Sequence, residues 1–362
     1  MKKTLKNEEG ITLVALVITI IILLILATIS IQSLTNTGLF EKTKEAKEKT
    51  HAAEINQAKT LNEYEDELNK YVSGTAQTQK LADKVKVGDY VTYTPDALDS
   101  NAVATLKSNL NTYSGKSDST INSEIKRDDL KWRVLDVQNG QVRLISEAPT
   151  TSKIELYGYN GYNNAVKLID DACSTLYTNK KLASKVQNLK IEDITKYMKT
   201  QPTLDTATYS PTNIKYPKIL EKEEKQTVVN STTNNKLGIS SQDVFVTGND
   251  TSATSTLKKT YWSQSMNNID SFTDSKYYEL FIQNMDTKYN YWVPSRCINA
   301  SSDYAGFCVH YVDSGDVTAH GLCDSNNIER SDNFALRPCI TLDANVQVAS
   351  GSGSSESPFN IQ

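Results

Sequence analysis

The chain has 362 residues, a formal net charge of −4 and five cysteines. This length allows a membrane segment followed by one large or two small globular domains. Because a mildly acidic chain does not neutralise a phosphate backbone, we expect no nucleic-acid partner.

An uncharged apolar segment at 11–34 dominates the first part of the chain. Fifteen of the 21 residues from Ile11 to Ile31 are Ile, Leu or Val, and a helix of this length rises about 31 Å, roughly one bilayer core. Lys2, Lys3 and Lys6 precede it, which favours a cytoplasmic N-terminus. We therefore predict a single-pass helix in the cell membrane, with the rest of the chain outside the cell. A buried core helix is the alternative.

The start of the apolar segment carries a motif of six residues behind a short basic leader: Gly10, Ile11, Thr12, Leu13, Val14 and Leu16. This junction resembles the cleavage and methylation site of type IV prepilins and pseudopilins. The resemblance implies a leader over 1–10, cleavage by prepilin peptidase between Gly10 and Ile11, and other pilin-like subunits as partners. Ala15 stands where those proteins usually have Glu, which favours a membrane-anchored or minor-pilin role over a major filament subunit.

The segment after the apolar run predicts a stalk helix over 35–72, because Lys and Glu alternate between alanines. Its apolar stripe is thin and no heptad is sustained, so a coiled coil is not predicted. A polar linker is expected over 73–84 and a globular α+β domain over 85–348. The Ser- and Gly-rich end, 349–362, is expected to be a flexible tail.

Local patterns within the globular domain predict both strands and helices. Strands at 132–137 and 142–146 flank Asn139-Gly140, a pair typical of a type I′ turn, so a hairpin is predicted. Apolar residues at helical spacing predict helices at 163–178, 191–198 and 275–284.

The remaining stretches of this domain are less regular. The Ser-, Asn- and Lys-rich stretch 99–128 is predicted to be an exposed excursion. Short strands are predicted near the C-terminus at 307–312, 317–322 and 334–342.

The C-terminal block carries a second group of marker residues: Trp292, Ser295, Arg296, Arg337 and Pro338. They resemble the end of C-type-lectin-like modules of the sulfatase-modifying-factor type. The resemblance implies a mixed, mainly antiparallel sheet with flanking helices. It also assigns a framework role beneath a binding surface to Trp292, Arg296, Phe334 and Arg337. The Glu-Pro-Asn and Trp-Asn-Asp signatures of calcium-dependent lectins do not occur, so no calcium site is predicted.

The amino-acid alphabet of residues 296–339 is restricted. These 44 residues contain no Lys, Gln, Met or Trp, and Glu329 is the one residue that randomised adenines in an Asn codon cannot produce. This resembles the target proteins of diversity-generating retroelements, whose variable regions lie at the end of lectin-like folds. An ordinary Tyr-, Ser- and Gly-rich loop surface is the alternative. Both interpretations predict binding, because small polar and aromatic residues make versatile contacts.

We therefore predict a binding surface for an unknown surface ligand, protein or glycan. Its residues should form one solvent-facing patch, and they are Tyr304, His310, Tyr311, Asp313, Asp316, His320, Asp324, Asn326, Asn327 and Arg330.

Four of the five cysteines lie in the same block: Cys297, Cys308, Cys323 and Cys339. Outside the membrane they allow two disulfides in three pairings, and buried thiols are the alternative. Their wide spacing lacks the close pairs of a zinc site, so no metal and no cofactor are predicted.

Motifs of catalysis are not found in the sequence. Of three histidines, His51 lies on the predicted stalk, and no nucleophile elbow, phosphate loop or His-Glu-x-x-His run occurs. We predict a binding protein and not an enzyme. The alternatives are a structural minor pilin or pseudopilin of a type IV pilus or a type II secretion-like system and, less favoured, an enzyme of the formylglycine-generating type, which would need Cys297 with Cys308 or Cys339 as its cysteine pair.

Overall fold

The computed structural model describes residues 79–362 with gaps at 205–206, 211–214, 219–236, 251–256 and 284–289, and a few positions between 49 and 64. The chain divides into two units, Met1–Ala76 and Gln77–Gln362. The predicted leader (1–10) and membrane helix (11–34) lie outside the described residues. Of the predicted stalk, the described positions between 49 and 64 are helical. Within the described part of the chain, no helix is long and apolar enough to cross a membrane.

The second unit contains eighteen described strands. In chain order they are β1 (Gln79–Lys80), β2 (Tyr90–Thr92), β3 (Trp132–Gln138), β4 (Gln141–Ser146), β5 (Lys153–Tyr157), β6 (Ala183–Asn188), β7 (Thr208–Tyr209), β8 (Tyr216–Pro217), β9 (Asn249–Asp250), β10 (Leu257–Lys258), β11 (Gln264–Ser265), β12 (Tyr291–Ala300), β13 (Ala305–Asp313), β14 (Asp316–Asp324), β15 (Ser331–Ala335), β16 (Pro338–Leu342), β17 (Gln347–Ser350) and β18 (Phe359–Ile361).

The described helices of the second unit are short, with two exceptions. They are α1 (Ser100–Tyr113), α2 (Thr120–Ser123), α3 (Gly158–Tyr177), α4 (Ile191–Thr195) and α5 (Ser275–Tyr278). Single wider or tighter turns occupy Leu81–Asp83, Ile269–Ser271 and Glu279–Gln283. Thus the predicted helix at 163–178 begins earlier, at Gly158, and the one predicted at 275–284 is α5 followed by a single wide turn.

Eight strands form one sheet in the order β1-β17-β18-β2-β3-β4-β16-β6. Its centre is the β3–β4 hairpin, in which Trp132 lies opposite Ser146 and Val137 opposite Val142. Asn139 and Gly140 both have positive φ, at 51° and 76°, as a type I′ turn requires. The predicted hairpin is confirmed.

Six strands form the second sheet in the order β11-β14-β13-β12-β15-β5. Its central strands β12, β13 and β14 form an antiparallel meander. Helix α3 packs on strands of both sheets, including β5, β12 and β14 of this sheet and β6 of the eight-stranded sheet. Nearly all strand pairs are antiparallel, apart from β12 with β15 and β18 with β2. The fold is therefore α+β with mostly antiparallel sheets and few helices, which confirms the α+β class predicted for the globular domain.

Two apolar cores fill the described unit. Leu144 and Ile145 are neighbours on β4 but belong to different cores, and the same is true of Trp292 and Tyr291 on β12. Successive strand residues point to opposite faces, so each sheet contributes side chains to both cores. Tyr162 and Ile169 of α3 belong to the core that contains Trp292.

A buried charge cluster connects the eight-stranded sheet to α4. Arg143 of β4 donates two hydrogen bonds of 2.7 Å to the Asp136 carboxylate and one of 2.5 Å to Asp193. The Tyr197 hydroxyl also donates to Asp136. Burial acts to raise the pKa of Asp136, but the hydrogen bonds from Arg143 and Tyr197 outweigh it, so this pKa is lowered.

Two predictions about exposed segments are wrong. The stretch 99–128 is not an excursion, because Asp99 caps α1 by accepting from the Asn101 and Ala102 amides, and Leu106 and Leu110 of α1 are buried. The end of the chain is not a free tail, because β17 and β18 join the eight-stranded sheet.

The globular domain is longer at both ends than the predicted range 85–348, because terminal strands join its eight-stranded sheet. Phe359 of β18 lies opposite Val91 of β2 and is buried. At the other end, β1 pairs with β17 and Leu81 is buried, so the globular fold includes 79–84 of the predicted linker and extends past residue 348.

Candidate functional site

Residues 324–330 connect β14 to β15 and form a loop held by its own hydrogen bonds, here called the tip loop. Oδ1 of Asp324 accepts from the Asn326 amide at 3.0 Å and from the Ile328 amide at 3.1 Å. Asn327 has a φ of 64°, in the left-handed region that Asn tolerates. Because Asp324 is 1 % exposed, its carboxylate acts from beneath the loop.

The tip loop is also bonded to the strands and helix around it. The Arg330 amide donates to the Leu322 carbonyl at 2.8 Å, and the Gly158 amide donates to the Arg330 carbonyl at 3.1 Å. The Tyr159 hydroxyl donates to the Asp324 carbonyl at 2.9 Å. These bonds fix both ends of the loop to the start of α3 and to β14.

The side chains of the tip loop that reach solvent are those of Asn326, Asn327, Ile328, Glu329 and Arg330. Ile328 is 47 % exposed although it is apolar. Nζ of Lys215 donates to Oδ1 of Asn327 at 2.9 Å. Ile328 is therefore a single exposed apolar residue among polar neighbours, on a backbone that Asp324 holds in place.

Tyr304 lies beside the tip loop, in the turn between β12 and β13, and is half-buried. A Cβ on Gly306 would lie 3.0 Å from its hydroxyl oxygen, so the glycine leaves room for this ring. Burial, followed by the negative charge of Asp324, raises the pKa of Tyr304. Of the ten predicted ligand residues, the structure therefore brings together Tyr304, Asn326, Asn327 and Arg330 as surface residues at one end of the sheet.

A small polar cavity borders this group. It has a volume of about 240 Å³ and is lined by Gly115, Tyr157, Tyr159, Asn160, Gly248, Asn249 and Glu329. The Lys116 ammonium lies 5.5 Å from the centroid of the Tyr157 ring. The cavity offers ring faces, amides and a carboxylate next to the tip loop.

Tyr311 lies two residues before the end of β13, and His320 lies in the middle of β14. Tyr311 stacks on Phe334, with ring centroids 4.2 Å apart and an interplanar angle of 8°. Burial raises the pKa of Tyr311 to about 12. Nδ1 of His320 lies 3.0 Å from Oδ2 of Asp332. Both predicted residues are half-buried and contact strand β15.

Two predicted ligand residues are not solvent-facing, so this part of the prediction is wrong. His310 is 0 % exposed, and its Nδ1 lies 2.8 Å from the Ser295 carbonyl, so that nitrogen must carry the proton and donate. Burial lowers the pKa of His310 to about 4. As the neighbour of Tyr311 on one strand it points to the opposite face. Asp324 is buried because its carboxylate supports the tip loop.

Asp313 and Asp316 lie at the other end of the meander, on either side of the turn at Ser314 and Gly315. Strand β14 has nine residues, so Asp316 and Asp324 are separated by about 26 Å along the strand. The expectation of one continuous patch is therefore wrong: the predicted residues divide between the two ends and the middle of the sheet.

All four predicted framework residues are buried. Trp292 donates through Nε1 to the Ile154 carbonyl at 2.9 Å, and its ring centroid is 4.6 Å from that of Phe334. Arg296 donates through Nη1 to the Asn163 carbonyl of α3 at 2.6 Å. Arg337 donates through Nη2 to the carbonyls of Glu147 and Leu280. These contacts tie the second sheet to α3 and to the first sheet.

The cysteines are buried thiols in this structure, and the disulfides considered from the sequence are not formed. Cys297 and Cys308 lie opposite each other on β12 and β13. Cys323 belongs to the core that contains Trp292, and Cys339 belongs to the core that contains Tyr291. Burial raises the pKa of both Cys323 and Cys339. In the described part of the chain, no group of three or more His, Cys, Asp or Glu side chains is placed to hold a metal ion.

Several residues that complete this region were not predicted from the sequence. Asp332 contacts His320, and Tyr159 contacts Asp324. Glu329 was singled out only because its codon cannot arise from an Asn codon by randomised adenines. Asp332 could have been found from the period-2 pattern that relates it to Phe334 on β15. Tyr159 had no local signal, because its partner Asp324 is 165 residues away in sequence.

Comparisons of this chain with models of protein families, with curated proteins and with solved structures found no match.

Proposed function

We propose that this chain is a membrane-anchored surface protein that binds a ligand, rather than catalysing a reaction, through the tip loop and Tyr304. The observation that carries the proposal is the combination of solvent-exposed side chains at 326–330 with a backbone held by the buried Asp324 carboxylate. A loop that is already fixed before binding loses little conformational freedom on binding, and this favours affinity.

The anchor and the location of the domain are part of the same proposal. The Gly10-Ile11 junction and the uncharged segment behind it support a membrane helix with the domain outside the cell. The marker residues Trp292 and Arg337-Pro338, together with the mostly antiparallel sheets, support a C-type-lectin-like domain.

The restricted alphabet of 296–339 supports diversification of this surface. Tyr304, Asn326, Asn327 and Arg330 are all residues that randomised adenines in Asn codons can produce. Substitutions at exposed positions of a fixed loop change what the surface binds with little effect on folding.

Sequencing the coding stretch of residues 296–339 from many single cells tests this proposal. We expect substitutions to concentrate at the codons of the exposed tip residues, and a near-copy of the stretch with a reverse-transcriptase gene to lie nearby. The coding stretch of the β3–β4 hairpin serves as the matched control. Equal substitution frequencies in the two stretches would overturn the diversified surface.

A second candidate function is that of a minor pilin or pseudopilin, and the Gly10-Ile11 junction is the observation that favours it. The prepilin-type junction predicts cleavage after Gly10, so N-terminal sequencing of the membrane-bound protein should find Ile11. Finding Met1 in cells that contain the peptidase would contradict the pilin, whereas an uncleaved apolar segment would still anchor a binding protein. An adjacent gene for a pilus assembly ATPase would favour the pilin.

A further inference from the structure

Glu329 is an exposed residue of the tip loop whose carboxylate nevertheless faces the protein. Its Oε1 accepts a hydrogen bond of 2.9 Å from the backbone amide of Tyr159, the second residue of α3. The first amides of a helix have no partner within the helix. Tyr157, at the N-cap of α3, makes no side-chain cap bond. Glu329 therefore supplies, from 170 residues away in sequence, the acceptor that the local sequence lacks.

The first residue of α3 is suited to this contact. Gly158 has a φ of 57°, and a Cβ at this position would lie 2.0 Å from Oε1 of Glu329. Only glycine lets the carboxylate approach the helix start without displacement. The Gly158 amide is held by the next loop residue, through the Arg330 carbonyl at 3.1 Å. Two successive amides of α3 are thus bound by two successive residues of the tip loop.

The charge of Glu329 has the sign that this position favours. The N-terminus of a helix carries partial positive charge, and α3, with twenty residues, is the longest helix in the described part of the chain. A carboxylate in the first turn strengthens the hydrogen bond that it accepts there. The link between the loop and the helix is therefore electrostatic as well as geometric.

The sequence sets Glu329 apart from its neighbours in the same way. It is the one residue of 296–339 that randomised adenines in Asn codons cannot produce, whereas Asn326, Asn327 and Ile328 all belong to that alphabet. We propose that Glu329 is a fixed positioning residue, which clamps the tip loop to the start of α3 while the side chains at 326–328 vary. This inference rests on the proposed binding role of the loop, but the clamp can be measured without any ligand.

Backbone amide exchange in the full chain, held in detergent micelles, tests the clamp. The variants are Glu329→Ala, Glu329→Gln and, as the matched control from the exposed tip, Asn326→Ala. We expect Glu329→Ala to accelerate exchange at Tyr159 and Arg330 at least tenfold, with no change in the β3–β4 hairpin. Glu329→Gln should restore most of the protection, because its amide oxygen still accepts, and Asn326→Ala should leave Tyr159 unchanged.

Equal exchange at Tyr159 in Glu329→Ala and Asn326→Ala would overturn the clamp. If Glu329→Ala also accelerates exchange in the hairpin, Glu329→Gln decides: protection of the Tyr159 amide close to that of the wild type supports the clamp, and protection as low as in Glu329→Ala contradicts it. Amide exchange is measured without a ligand, so it can support the clamp even if sequencing finds no diversification. The clamp and the proposed function can therefore be contradicted independently of each other.

Discussion

Two arginines that pair with aspartates show how the tip loop differs from the two sheets and the helices packed on them, here called the scaffold. Arg143 has a side chain 11 % exposed and is bonded to both Asp136 and Asp193, whose side chains are 7 % and 12 % exposed. Arg330 has a side chain 42 % exposed, and its Nη1 lies 3.2 Å from Oδ2 of Asp324, whose side chain is 2 % exposed. In the scaffold both partners are enclosed. In the tip loop only the carboxylate is enclosed, and the guanidinium stays at the surface.

The difference in burial indicates which substitutions each region tolerates. Removing an enclosed charge leaves its partner buried without compensation, whereas removing an exposed charge lets water replace it. Removing Asp324 is therefore expected to lower the stability, as in the scaffold, although this residue lies in the tip loop. The guanidinium of Arg330 is at the surface, where a ligand can reach it.

The largest expected effect comes from Arg143→Met. This change removes the cation that Asp136 and Asp193 share, so it should lower the free energy of unfolding by about 3 to 5 kcal/mol. Urea unfolding measures this loss: the midpoint should move to a lower urea concentration, and the dependence of the unfolding free energy on urea should stay the same. A loss below about 1 kcal/mol would show that water reaches the cluster, contrary to its described burial.

His310 should make stability depend on pH. Burial lowers its pKa from 6.5 to about 4, so between these values the unfolded chain binds a proton that the folded chain does not. Stability from this residue is therefore intact above pH 6.5, falls as the pH falls towards 4, and loses up to about 3 kcal/mol in total.

Comparing unfolding free energies at neutral pH and near pH 4 for the wild type and His310→Gln measures that contribution. The difference between the two pH values should be smaller in the variant. The same pH dependence in both proteins would mean that His310 is protonated in the folded state.

An intermediate effect is expected for Asp324→Ala. The change removes the acceptor of the Asn326 and Ile328 amides and the partner of Arg330, so it should cost about 1 to 3 kcal/mol. Asp324→Asn, which keeps Oδ1, should cost less. Amide exchange at Asn326 and Ile328, read beside urea unfolding, checks both variants. If exchange at these two amides is unchanged in the alanine variant, the Asp324 carboxylate does not hold the tip loop.

The smallest effect is expected for Arg330→Met, the same substitution as at Arg143. Water can take the place of the exposed Arg330 guanidinium beside Asp324, so the change should cost less than about 1 kcal/mol and the urea midpoint should barely move. A cost as large as that of Arg143→Met would erase the distinction between scaffold and surface.

Much of the fold could be predicted where the signal is local. Asn139-Gly140 specifies the β3–β4 turn by its own backbone preference, and the apolar spacing around Ile169 specifies α3. Helix α1 was missed because it carries few apolar residues in a Ser- and Asn-rich stretch, although Leu106 and Leu110 have the right spacing. Strand β18 was missed because its pairing with β2 joins opposite ends of the domain.

The candidate site was predictable in part for the same reason. Asn326, Asn327 and Arg330 lie in a turn between strands, where polar residues are exposed whatever the register. His310 was misplaced because its exposure depends on which face of β13 the core covers, and this is set by register with β12 and β14. The link from Glu329 to Tyr159 is a long-range contact with no local pattern to reveal it.

Binding by the tip loop can be tested most directly with two libraries of the full chain. One varies Tyr304, Asn326, Asn327 and Arg330 with Asp324 and Glu329 kept, and the control varies Asn101, Thr105, Ser108 and Thr112 on the exposed side of α1. Both are selected against the same purified protein. We predict that binders enrich from the tip library only, and that Asp324→Ala abolishes their binding. Equal enrichment from both libraries, or binders that keep their affinity after Asp324→Ala, would contradict a binding surface built on the fixed tip loop.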